Sequence, residues 1–246
     1  MSPRPPLVLR ADFHTHTDFS DGHDPLDRVV AAAETAGLGT LILTDHVRAD
    51  TTYLPDYVAA VRAARITTPV SLVCGVEAKI MDTTGRIDLP DDLTGIDHVA
   101  LADHRFPLPA GPAHPDEVRE RLATGDLTPE TALELLVEAT ARAVRAVPAG
   151  RSAHVAHLFS VLPKAGLDEA AVDAALLEPL ARACRTHGVP VELNEKWRCP
   201  APRTAALLGR AGVRLVAGSD AHRADAVGVF PWVRQALAEA EARCTS

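Results

Sequence analysis

Short runs of aliphatic residues recur along the 246-residue chain, each leading into polar residues and then into a stretch of helical periodicity. The runs predict β-strands at about 7–14, 40–43, 70–77, 98–102, 151–157, 189–194 and 213–217. Between them, apolar residues three and four apart predict helices at about 25–36, 55–65, 128–147, 168–186, 202–211 and 233–243. Pro25 suits a first helical position, and Gly37 suits a stop. Thr128-Pro129-Glu130-Thr131 opens the longest helix, with Ala132, Leu135, Leu136, Ala139 and Ala143 on one stripe. Asp82-Thr83-Thr84-Gly85 turns a hairpin across 78–89, and the Pro- and Gly-rich segment 105–114 reads as a loop or lid.

The strands are nearly continuous apolar runs, which is the pattern of a parallel sheet covered by helices. Seven strand–helix units follow one another without a linker, so the expectation is one α/β domain spanning 1–246. A closed seven-stranded, TIM-like (β/α)7 barrel fits better than an open sheet, because polar residues gather at the C-terminal strand ends, where barrels place their chemistry.

Those ends carry His14 and His16, then His46, Glu77, His104, His154 and His157, Glu192 and Asn194, and finally Asp220 and His222. Of the eleven histidines only His23, His98, His114 and His187 fall elsewhere. His98 starts a strand, at the opposite barrel end, and the other three read as surface or loop residues. The stretch Asp12–Gly22 anchors the set. His14 and His16 share one strand face because side chains alternate with period two, and an Asp-Gly turn brings Asp21 back towards them. Imidazoles and carboxylates in such a cluster suit Zn, Mn or Fe.

Composition narrows the picture further. A 47% apolar and 24% charged chain is ordinary for a globular protein. A net charge of −8 gives no footprint for nonspecific nucleic-acid binding and argues against long polynucleotides. No apolar run approaches membrane-spanning length, and the first residues lack the apolar core of a signal peptide. Cys74, Cys184, Cys199 and Cys244 are scattered, with no Cys-x-x-Cys pair, and predict free thiols in a cytoplasmic setting. Cys199, with no base or second thiol beside it, reads as inert.

Seven motifs in order resemble the PHP (polymerase and histidinol phosphatase) family of metal-dependent phosphoesterases. They are His14-Thr15-His16 with Ser20-Asp21-Gly22, Thr44-Asp45-His46, Gly75-Val76-Glu77, Ala102-Asp103-His104, Ala156-His157-Leu158, Glu192-Leu193-Asn194 and Gly218-Ser219-Asp220-Ala221-His222. The resemblance implies a distorted seven-stranded barrel holding two or three Zn, Mn or Fe ions. Carried over by position, His14, His16, Glu77 and Asp220 hold one ion, Glu77 bridges to a second held by His104 and His157, and Asp21, His46 and His222 hold a third. His154 and His157 compete for one ligand position, and family spacing favours His157. Asp103 is read as orienting His104. Glu192 and Asn194 either help bind water or fix a neighbouring ligand.

Cations of this kind lower the pKa of water, so that hydroxide is available to attack phosphorus near neutral pH. Glu77 and Asp220 therefore carry the catalysis, with Asp45 and Asp103 as candidate leaving-group acids. Lys196, Arg198, Arg105 and Arg223 stand just beyond strand ends and are the candidate phosphate-binding residues. The expected activity is hydrolysis of a small phosphomonoester, histidinol phosphate among the candidates. A nucleotide phosphodiesterase, a metal-dependent amidohydrolase and a non-catalytic metal-binding module are the alternatives. The sequence says nothing of oligomeric state.

Overall fold

Parallel strands need helical crossovers, and the computed structural model, which describes residues 9–245, has that alternation. The strands are β1 (Ala11–Thr15), β2 (Thr40–Val47), β3 (Ser71–Lys79), β4 (His98–Ala102), β5 (Phe106–Leu108), β6 (Gly111–Ala113), β7 (Ser152–Val155), β8 (Val191–Asn194) and β9 (Leu215–Gly218). All but β5 and β6 form one seven-stranded parallel sheet, ordered as they occur in the chain. The first and last of these nearly close the barrel: Asp220 N–H donates to His14 O at 2.8 Å and His16 N–H to Ala221 O at 2.9 Å.

The helices are α1 (Leu26–Thr35), α2 (Leu54–Ala64), α3 (Pro115–Thr124), α4 (Pro129–Ala146), α5 (Leu162–Ala165), α6 (Ala174–His187), α7 (Pro202–Arg210) and α8 (Pro231–Thr245). The stripe read for α4 is buried at Ala132, Leu136, Ala139 and Ala143, and Thr128 caps it by accepting from Thr131 N–H. Each fully buried Leu or Val of this kind contributes about 1.5–3 kcal/mol relative to exposure.

Alternation within strands separates two environments. On β4, Val99 and Leu101 belong to the main apolar core, whereas Ala100 and Ala102 form a separate small cluster with Ala156. His98, two residues before Ala100, shares that inner face and meets His154 of β7. Alanines on this face leave room for imidazoles inside the barrel.

Several expectations shift. Leu7 and Val8, placed in the first strand, lie outside the described residues, and β1 begins at Ala11. The segment read as a loop or lid is a short antiparallel hairpin, β5–β6, with Phe106 and Leu108 buried. Pro107 faces Pro112 there, so neither removes an N–H from the main sheet. The helix expected from 168 begins instead at Ala174. Asp173 caps it through Leu176 N–H, and Asp168 caps a separate 3₁₀ turn at Glu169–Ala171. Helix α3 was not foreseen, because half of its residues are charged and only Pro115 and Val118 are buried. The hairpin across 78–89 is present in reduced form, with Ile80 paired to Ile87.

Candidate metal centre

Seven strand ends deliver the site. Glu77, on β3, is 1% exposed and sits at its middle. Its Oε1 lies 2.9 Å from His104 Nε2 and 2.7 Å from His157 Nε2. Its Oε2 lies 3.2 Å from His14 Nε2, 3.5 Å from His16 Nε2 and 3.0 Å from His46 Nδ1. One carboxylate thus faces two sets of imidazoles with its two oxygens.

Around this centre, His16 Nε2 and His222 Nδ1 lie 3.5 and 3.3 Å from Asp220 Oδ1. Asp21 Oδ2 lies 3.4 Å from His46 Nε2 and 3.3 Å from His222 Nε2. All nine residues expected as ligands are therefore brought together, Asp21 included. The grouping is less segregated than the one carried over. His16 Nδ1 also approaches Asp21 Oδ1, at 3.7 Å, so this ring faces the Asp21–His46–His222 group as well as its own. His46 likewise stands in a group with Glu77 and His104.

The donor set fits divalent cations on two observations. His14 Nε2 and His16 Nε2 are 3.1 Å apart, close to the roughly 3.3 Å that separates two nitrogens each about 2.0–2.1 Å from a tetrahedral zinc. Buried Glu77 Oε2, His16 Nδ1 and His154 Nε2 have no hydrogen-bond partner. Buried polar atoms are normally paired, so three orphans in one cluster point to a missing charge.

Electrostatics agree. Burial works against the ionised form of Glu77, but His104 and His14 outweigh it and hold the carboxyl below its ordinary range. Burial likewise opposes a charge on Asp220, and His14 and His16 hold it down. Burial favours neutral rings at His46 and His157, yet Asp21 and Glu77 raise the first to about 9, and Asp103 and Glu77 raise the second to about 10. His16 is pushed down to about 4 by burial. Burial also favours the neutral form of His98 and His154, lowering the first to about 4 and the second well below its ordinary value.

Two strained backbones position ligands. His157 and Asp220 have φ of 28° and 53°, a region most side chains avoid. Each is pinned: His157 N–H donates to Glu192 Oε2 at 2.6 Å, and Asp220 N–H to the His14 carbonyl. Glu192 does more than the sequence suggests. It lies 3.2 Å from His14 Nδ1 through each carboxylate oxygen, so it fixes which His14 nitrogen faces the cluster. Gly218 makes room for it, since a Cβ there would stand 1.7 Å from Glu192 Oε1. The signal in sequence was the period of two that puts Glu192 and Asn194 on one strand face. Asn194 Nδ2 donates to Glu192 Oε1 at 3.0 Å and Asp220 Oδ2 at 3.3 Å, fixing neighbours rather than facing solvent.

The two candidate acids are both held by neighbouring groups. Asp45 is fully buried and accepts from Thr17 N–H, Thr17 Oγ and Ser20 Oγ at 2.6–2.9 Å. It holds the loop that carries Asp21, and all its short contacts lie on that loop. Burial raises its carboxyl to about 6. Asp103 accepts from Ser160 Oγ and Phe159 N–H, and its Oδ1 lies 3.1 Å from His157 Nδ1. It orients His157, not His104.

Of the rim cations, Lys196 Nζ is 3.3 Å from Asp220 Oδ1 and 3.1 Å from His222 Nδ1, inside the cluster. The side chains of Arg105, Arg198 and Arg223 have no hydrogen bond or ion pair among the described residues. Trp197 is 41% exposed, with Lys164 Nζ 3.8 Å from its ring centroid. Cys74, Cys184 and Cys199 are buried free thiols, and burial pushes each up. The side chain of Cys244 lies outside those described.

Comparison with known proteins gives the same reading. A probable phosphatase of Caldicellulosiruptor bescii is 32% identical over 111 residues, 43% of this chain and 45% of that protein. The chain thus matches less than half the length of this curated relative. A histidinol phosphate phosphatase from Lactococcus lactis, solved with Zn, L-histidinol and phosphate, superposes with a TM-score of 0.60 at 17% identity, covering 96% of this chain and 93% of that one. A putative histidinol phosphatase from Listeria monocytogenes gives 0.67 at 17%, covering 89% and 97%. At these identities the likeness is one of fold. A family model for the PHP domain matches residues 12–196, from β1 through the end of β8. The chain belongs to the PHP domain family.

Proposed function

We propose that this protein is a metal-dependent phosphatase acting on a small phosphomonoester. The observation that carries the proposal is Glu77, whose two oxygens face two sets of imidazoles within 3.5 Å in a buried cluster with three orphaned polar atoms. His14, His16 and Asp220 would hold one divalent cation with Glu77. His104 and His157 would hold a second, and Asp21, His46 and His222 a third. Cations so held lower the pKa of water and neutralise charge on phosphoryl oxygens.

The chain's own residues do the rest. Asp103 and Glu192 orient His157 and His14, and Asp45 holds the Asp21 loop in register. Arg105, Arg198 and Arg223 are free to take phosphate oxygens, which guanidinium groups grip bidentately. Lys196, a compact point charge within reach of Asp220 and His222, marks the phosphate end of the pocket. Trp197 offers an apolar face for the rest of the substrate. With buried free thiols, and no described helix long and apolar enough to cross a membrane, we assign the single barrel unit to the cytoplasm.

The relative solved with L-histidinol and phosphate makes histidinol phosphate the first substrate to test. Purified chain, loaded in turn with Zn, Mn and Fe, is assayed for phosphate release from a metabolite panel that includes it. Release from one or a few monoesters supports the reading. Metal-loaded protein that hydrolyses only diesters or amides overturns it.

A further inference from the structure

Beneath the cluster, inside the barrel, three side chains form a hydrogen-bonded chain that the proposed reaction does not use. His98 Nε2 lies 2.7 Å from His154 Nδ1, with the rings stacked at 5.0 Å. His98 Nδ1 lies 2.8 Å from Ser152 Oγ, and Ser152 Oγ reaches the Asp97 carbonyl at 3.2 Å. Burial favours the neutral form of both rings, a neutral ring carries one proton, and the two arrangements can be counted.

If the Ser152 hydroxyl donates to Asp97 O, His98 donates Nδ1–H to Ser152 and His154 donates Nδ1–H to His98. Three bonds are made, and His154 Nε2 is left as a lone pair. In the reverse arrangement Ser152 donates to His98 and His98 to His154. Only two bonds are made, and an N–H is stranded at His154 Nε2, which is buried without a partner. Stranded buried N–H groups are rarer than under-used acceptors, and the first arrangement also makes the extra bond. His154 Nε2 is therefore a lone pair. His154, His14 and Glu192 form a fully buried group whose ligand atoms lie within 4.8 Å of one another.

We propose that His154 extends the metal centre from below. Its Nε2 is a further donor for a divalent cation that takes nitrogen ligands, beside His14, whose Nδ1 stays with Glu192. Ser152 and His98 fix its tautomer, as Asp103 fixes that of His157. A neutral imidazole with one nitrogen held as a donor is the form that metals bind through the other. This rests on the metal-centre reading above.

The test is nitrogen-resolved NMR of the full chain labelled at histidine, first without metal and then with zinc added, the rings assigned by single His→Gln variants. The expected result is an Nδ1–H tautomer at both His98 and His154, with His154 Nε2 shifting on zinc addition alongside His14 and His157. Ser152→Ala, at an exposed position, should leave the fold intact and populate the Nε2–H tautomer of His154. A His154 that already carries Nε2–H without metal overturns the proposal. So does an Nε2 that stays unmoved while His14 and His157 respond. Silence from every ring on zinc addition instead overturns the metal-centre reading, and this inference with it.

Discussion

The two faces of the same strands are buried to the same degree and do opposite things. On β4, Val99 and Leu101 point into the aliphatic layer beneath the helices, while His98, Ala100 and Ala102 line the inside. On β3, Val76 and Ala78 join that outer layer and Glu77 stands inside among five imidazoles. The outer face is held by contact alone. The inner face carries orphaned atoms and carboxylates that burial penalises. A barrel specified by its outer wall can tolerate an expensive interior, and that interior is where the proposed cations would offset the cost.

The sharpest way to break this contrast is Glu77→Gln. The amide keeps the size but loses the charge facing both sets of imidazoles. Removing an outer partner of a ligand already costs 10–100-fold, so phosphatase activity should fall by at least about 100-fold. Bound metal, counted by mass spectrometry, should fall too, while the circular dichroism spectrum stays native. Unchanged metal content would show that the inner face does not depend on this carboxylate.

On the outer face, Leu101→Ala should do the reverse. The residue is fully buried in the main core, and its truncation should cost about 2–5 kcal/mol of stability in a denaturant titration. Metal per folded molecule should not change. If metal is lost at concentrations of denaturant where the variant remains folded, the two faces are not separable.

The smallest effect concerns protons. Burial favours neutral His46 and His157, but the carboxylates hold them up to about 9 and about 10, above the ~6.5 of an unfolded chain. In metal-free protein the stabilisation from these protons is fully present below about pH 6.5 and is lost as pH climbs through 9 and 10. Cations need the same nitrogens bare, so loading at pH 7 should release protons and weaken as pH falls. Calorimetry in two buffers of different ionisation enthalpy reads that release directly. Equal heats in both would remove protonated imidazoles from the account.

The sequence shows most of the inner face because ligand chemistry is written in residue types. Histidines at strand ends, with Glu77 and Asp220, need no coordinates to be grouped. Partners that act through hydrogen bonds are less visible. Asp103 sits beside His104 in sequence but serves His157, because the loop after β7 folds back over it. Asp45 follows the same logic, its neighbours Thr17 and Ser20 arriving from the loop after β1. The outer face was legible where helices are amphipathic, as in α4. It failed at α3, whose few apolar residues leave no stripe to count.

One buried carboxylate, Asp12, ties the two ends of the barrel together. Asp12 Oδ1 accepts from His14 N–H at 3.2 Å and Ser219 N–H at 2.9 Å, and its Oδ2 accepts from Gly228 N–H at 2.9 Å. It staples the start of the barrel to residues more than two hundred positions later, along the seam where His14 and His16 meet Asp220 and His222. A fragment that ends before His222 cannot assemble the full cluster. The seam thus makes the donor set a property of the closed barrel: His14 and His16 meet Asp220 and His222 only where the first and last strands join.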